Sequence, residues 1–113
     1  YSTTRALQVT AGEVVADTFS INTYRTANYI VSCEDYTVGA KAYWTGEILL
    51  VHDGTNTNHT IYGEVEIGQI SMSPTIASDI QGTDVRLKIT TSSDQQVVTS
   101  HRTVCTNYSG YAW

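Results

Sequence analysis

Apolar and polar residues alternate with a period of two along nearly the whole chain, the spacing of strands that lay one face on a core. In residues 28–34, NYIVSCE, this puts Tyr29, Val31 and Cys33 on one face. In residues 84–90, DVRLKIT, it turns Val85, Leu87 and Ile89 inward against Arg86, Lys88 and Thr90 outward, the pattern of a half-buried antiparallel strand. The same reading predicts strands over 5–9, 14–21, 41–52, 60–67 and 95–105, while Pro74 demotes the middle of 69–80 to an edge or a crossing. Within 14–21, Val15, Asp17, Phe19 and Ile21 fall on one face and Val14, Ala16, Thr18 and Ser20 on the other. In the last strand Val97, Thr99, His101, Thr103 and Cys105 share a face, and residues 22–25 read as a corner.

The punctuation agrees with strands. Asp53-Gly54 is a strong hairpin signal because glycine accepts positive φ without penalty, and Gly46 inside a long strand predicts a bulge or bend. About eight strands with short Gly, Asn and Asp connections predict an all-β fold: a single antiparallel β-sandwich of jelly-roll or immunoglobulin-like type. Residues 1–12 form an N-terminal strand or extension, 13–105 the sandwich and 106–113 an aromatic C-terminal tail.

Composition narrows the class. The chain has 113 residues, enough for one modest core and too few for separate catalytic and substrate domains. Charged residues make up 15% of the chain, so hydroxyls of Ser, Thr and Tyr must do much of the work of solvating the surface. A net charge of -5 with six Lys+Arg argues against nucleic acid, whose phosphates call for a clustered basic face. No apolar run approaches the roughly 20 residues of a membrane span. Cys33 and Cys105 stand too far apart for a CxxC motif and are a disulfide candidate. Such a bridge would stabilise the fold by roughly 4 kcal/mol on the chain-entropy model; the alternative is two free buried thiols.

Five pieces, in order, carry a resemblance: ADTFS at 16–20, TYRTANYIV at 23–31, EILLVHDGT at 47–55, IYG at 61–63 and DIQGTDVRL at 79–87. Together they span about two thirds of the chain, and it resembles a β-module found in bacteriophage virion structural and tail-fibre-like proteins. The resemblance implies a β-sandwich with a structural or assembly role and no catalytic residues to carry over. Cys33, Cys105, the N-terminal extension and the aromatic tail depart from that pattern.

Candidate chemistry is thin. His52 with Asp53 is a poor base and orienting pair because neighbours on a strand point to opposite faces, and Asp53 is explained by the turn it begins. His52, His59 and His101 lack the spacings of a zinc site, although His52 and His59 flank one hairpin. Glu64 and Glu66 share a strand face as an exposed polar pair would, and no metal or cofactor is implied. Asn58-His59-Thr60 and Asn107-Tyr108-Ser109 are sequons, so Asn58 and Asn107 are glycosylation candidates.

The ends offer assembly candidates. Leu7 and Val9 lie in a segment that serves either as the first strand of its own sheet or as a donor strand completing the sheet of a neighbour. Tyr108, Tyr111 and Trp113 are anchors for a subunit interface or for stacking on a sugar ring. The expectation is a non-enzymatic structural subunit, extracellular or in a virion. Its partners are copies of itself in a homo-oligomer or helical fibre, with other virion proteins or cell-surface glycans besides. The alternatives are the protomer of a non-viral, donor-strand-linked and glycosylated fibril, and a carbohydrate-binding module using Tyr36, Tyr43, Trp44 or the tail aromatics.

Overall fold

The computed structural model describes residues 2–9, 12–91 and 96–106, which fold as eight strands and no helix. They are β1 (Ser2–Val9), β2 (Gly12–Ser20), β3 (Tyr24–Asp35), β4 (Ala42–His52), β5 (Thr57–Gly68), β6 (Thr75–Gln81), β7 (Asp84–Thr91) and β8 (Gln96–Thr106). Two antiparallel sheets result, ordered β1-β8-β3-β4-β5 and β2-β7-β6. The run β8-β3-β4-β5 is a Greek key: β3, β4 and β5 meander, the chain crosses to the second sheet for β6 and β7, and β8 returns beside β3. Pro74 sits in the crossing between β5 and β6, where no ladder hydrogen bond is asked of it.

One core fills the space between the sheets. Tyr29, Val31, Cys33, Ile48, Leu50 and Val98 enter from the larger sheet and Ala16, Phe19, Ile76, Val85, Leu87 and Ile89 from the smaller. Each fully buried aliphatic side chain here contributes about 1.5–3 kcal/mol relative to exposure. The inward assignments of β3 and β7 hold residue for residue, because a strand's side chains alternate strictly wherever its ladder is regular.

Where the ladder is irregular the alternation changes phase. In β2 the register shifts between Val15 and Asp17, so Ala16 and Asp17 are both buried and the predicted face of Val15 with Asp17 is split. The shift between Thr45 and Glu47 places one extra residue on β5, opposite Gly46, with Gly63 at φ 65. Gly46 is required by packing: a Cβ there would lie 2.8 Å from Trp44 Cη2. Residues 22–25 are only partly a corner, since β3 begins at Tyr24.

The expected bridge does not form: Cys33 is a buried free thiol and Cys105 an exposed one. Cys33 lies opposite Val98, whereas Cys105 lies opposite Thr26, seven residues away along β3. That is about 23 Å at the rise of a strand, against the roughly 7 Å that a disulfide spans between Cα atoms. Thr103 and Cys105 of β8 are also exposed, away from the core that Val98 and Ser100 enter. Burial pushes the Cys33 thiol up to about 12.

β1 pairs with β8 of its own chain over eight register positions, with Leu7 opposite Val98 and Val9 opposite Gln96. Within a single copy, the segment weighed as a donor strand is therefore paired in its own sheet. Asn107, Tyr108, Tyr111 and Trp113 lie outside the described residues.

Candidate functional site

The hairpin between β4 and β5 holds the residues with the most chemical promise, and each is committed to structure. Gly54 N–H donates to Nδ1 of buried His52 at 3.0 Å, which leaves the ring proton on Nε2, 2.6 Å from the Tyr24 carbonyl oxygen it donates to. Asp53 Oδ1 accepts the N–H groups of Thr55 and Asn56 at 2.9 and 2.7 Å. This turn holds its carboxyl below the usual range, the Asn56 N–H acting most strongly. His59 Nδ1 and Thr57 Oγ1 both meet Ser78 Oγ, at 2.8 and 2.9 Å, tying β5 to β6 across the edge of the sandwich.

His52 and His59 share the inner face of the hairpin, whereas His101 pairs with Ile30 on the outer face of the same sheet. The three histidines therefore do not converge, and among the described residues no group of three His, Cys, Asp or Glu is placed to hold a metal. Glu64 accepts the indole N–H of Trp44 at 3.2 Å, and Glu66 accepts the backbone N–H of Met72. Trp44 is buried and so is not the exposed stacking platform that a sugar-binding reading needs; Tyr36 and Tyr43 are exposed.

A polar group that the periodicity does not single out lies between the sheets. Buried Asp17, carried inward by the β2 bulge, accepts from Tyr29 Oη and from an Arg102 Nη1 nitrogen, each at 2.9 Å. Arg102 also donates to the Thr18 carbonyl oxygen and lies 5.9 and 5.8 Å from the ring centroids of Phe19 and Tyr24. Burial first, and then the Asp17 carboxylate, raises the Tyr29 hydroxyl far above an ordinary phenol. The group is enclosed and fastens β2 to β3 and β8. Its sequence signal is Asp17 and Arg102 standing at strand positions whose neighbours at i±2 are apolar or small.

The accessible feature is a surface. On the outer face of β3, β4 and β5, the exposed residues include Ile30, Leu49, Val51, Tyr62, Val65 and Ile67, with Val65 at 64% and Ile67 at 74% of full exposure. Their register puts them in adjacent rows: Thr26 with Val51 and Asn58, Asn28 with Leu49 and Thr60, Ile30 with Glu47 and Tyr62, and Ser32 with Thr45 and Val65. Asn28 Nδ2 donates to Tyr62 Oη at 2.9 Å, and Tyr62 is hydrogen-bonded to Glu47, a short polar bridge among the aliphatics. At the hairpin end the face dips into an open depression of about 430 Å³ whose lining includes Thr26, Leu49, Val51, Asn58 and Thr60. Exposed Asn58 stands at its edge.

No protein-family model matches this chain and no curated protein matches it. Solved structures do. The tailspike protein of Acinetobacter phage vB_ApiP_P1 superposes with a TM-score of 0.59 at 18% identity, over 94% of this chain and 22% of that one. The tailspike protein of Acinetobacter baumannii phage AM24 matches 98% of this chain and 26% of its own at a TM-score of 0.52 and 10% identity. The tailspike protein gp49 from Acinetobacter baumannii bacteriophage Fri1, a capsular polysaccharide depolymerase, matches 92% of this chain and 17% of its own at 0.51 and 16%. At such identities the likeness is one of fold, and the chain spans about a quarter or less of each tailspike.

Proposed function

We propose that this chain is a non-enzymatic, self-associating structural module of a phage tailspike or tail-fibre type of virion protein. The observation that carries the reading is the asymmetry of coverage: the fold of nearly all of this chain recurs as a 17–26% share of three tailspikes. A β-sandwich of this size is suited to be one part of such a spike. The commitment of His52, Asp53, Glu64 and Glu66 to turns and packing favours the structural role over a catalytic one. The resemblance of the five sequence pieces to virion modules points the same way.

The test is multi-angle light scattering of the purified chain across a wide concentration range, with a parallel incubation on capsular polysaccharide and reducing-end detection. A defined oligomer that releases no reducing ends is expected. Release of reducing ends that survives exhaustive purification overturns the non-enzymatic reading, and a monomer at every concentration overturns self-association.

A further inference from the structure

We infer that the outer face of the larger sheet, across β3, β4 and β5, is the surface on which copies of this chain pack against one another; this rests on the self-associating reading above. Three observations on that face identify the occupant as a second copy.

The first is charge. Each copy carries a net charge of -5, so copies repel unless they meet where carboxylates are few or engaged. Across β3, β4 and β5 the one cationic side chain is Arg25, which donates to the His52 carbonyl oxygen at 3.1 Å; of the outward carboxylates, Glu34 lies at the far end and the central one, Glu47, is held by the Tyr62 hydroxyl. A polyanionic glycan would find only Arg25, already engaged by a carbonyl oxygen, to answer it, and a basic partner would find little more than Glu34 at one end.

The second is area. Strands of 11 and 12 residues rising about 3.3 Å per residue and lying about 4.8 Å apart give these three strands a face of about 500 Å², and β8 with β1 extends it to about 800 Å². A stable interface needs about 800 Å² from each partner. Two such faces stack with their side chains interleaved, as sheets do inside a sandwich.

The third is the exposure of β5. From Tyr62 to Gly68 every residue is exposed, and Val65 and Ile67, paired with Thr45 and Tyr43 of β4 on the sheet's open edge, keep most of their side-chain surface in water. Leu49 with Val51 along β4 and Val65 with Ile67 along β5 are aliphatic pairs gathered on one exposed face, which monomers seldom leave to water.

The experiment uses the 113-residue chain with Leu49→Lys and Val65→Lys made separately, and Thr75→Lys on the opposite sheet as control, read by sedimentation velocity with circular dichroism and melting in parallel. All three positions are exposed, so the fold is expected to survive in each. The expected result is an association constant at least about tenfold weaker for both face variants and unchanged for the control. Folded face variants that associate like the wild type overturn this inference and leave self-association standing. A wild-type monomer overturns both. A wild-type monomer that binds a neutral oligosaccharide and loses it on Leu49→Lys gives the face to a glycan and overturns the inference as well. If one lysine variant fails to fold, the other decides the question.

Discussion

The outer faces of the two sheets answer water in different ways. On the three-stranded sheet, Arg86 and Lys88 of β7 both reach Asp79 of β6, and Lys88 lies 3.9 Å from Glu13 of β2, so one charge network runs across all three strands. The Arg86 fork holds the Asp79 carboxyl down to about 2. On the five-stranded sheet the matching positions carry Ile30, Leu49, Val51 and Val65. Both sheets use the same alternation and share one core, so the difference lies wholly in which residues occupy the outward half of the period. A face built of paired charges is finished against solvent. The outer face of the larger sheet instead sets exposed aliphatics among Thr, Asn, Ser and Glu side chains, with no such charge network.

Breaking the frame that holds the two faces apart should have the largest effect. Asp17→Ala leaves the Arg102 guanidinium and the Tyr29 hydroxyl without their carboxylate between the sheets, and a loss of about 3–5 kcal/mol in urea unfolding is expected. A loss below about 1 kcal/mol would mean that water reaches the group and that the sheets are not fastened there.

Alkaline titration probes the same interior. Tyr29 and Cys33 hold their protons more tightly in the fold than the ordinary phenol near 10 and thiol near 9. Both pKa values are raised, so the stability they lend is complete below pH 9. It declines as the pH climbs through the ordinary values toward about 12, because the unfolded chain releases those protons first. Cys33→Ala should flatten the lower part of that decline, and an unchanged profile would count against a buried thiol.

Gly46→Ala sharpens the comparison on the apolar side. Its Cβ would stand 2.8 Å from Trp44 Cη2, so the indole must move and weaken its bond to Glu64, at an expected cost of about 1–3 kcal/mol with a shift in tryptophan fluorescence. The smallest effect belongs to the charged face. Asp79→Asn should cost less than about 1 kcal/mol at neutral pH, since the network is partly exposed. The depressed Asp79 carboxyl lends stability that is present above the ordinary carboxylate range and lost as the pH falls through about 2. The variant's acid limb should therefore be shallower, which unfolding midpoints between pH 5 and 2 would detect.

Much of this was legible beforehand because strand period is a local property. Tyr29, Val31, Cys33, Val85, Leu87 and Ile89 were assigned inward from spacing and are all buried. Asp53 was read as a turn residue and makes the turn's hydrogen bonds. The misreadings arise where the chain leaves strict alternation or where two distant strands must be compared. The bulge between Val15 and Asp17 split the predicted face of β2, and the Asp17–Arg102 contact joins strands 85 positions apart, which spacing within one strand does not compare. The cysteine pair failed for the second reason: each thiol is plausible on its own strand, but the register of β3 on β8 sets them seven residues apart. Trp44, proposed for stacking on sugar, falls on the inward parity of β4.

Alternation, turn residues and composition are enough to determine that this chain is an antiparallel all-β sandwich with a hairpin after His52, because those preferences act over two to four residues and carry their signal in the local order of side chains. Which strands lie side by side, and hence that β8 returns between β1 and β3 and that β6 and β7 leave for the second sheet, was decided only by tertiary structure. So was the gathering of Ile30, Leu49, Tyr62 and Val65 into one face. Strands far apart in sequence contribute to those rows through register, and register is set by the whole core at once.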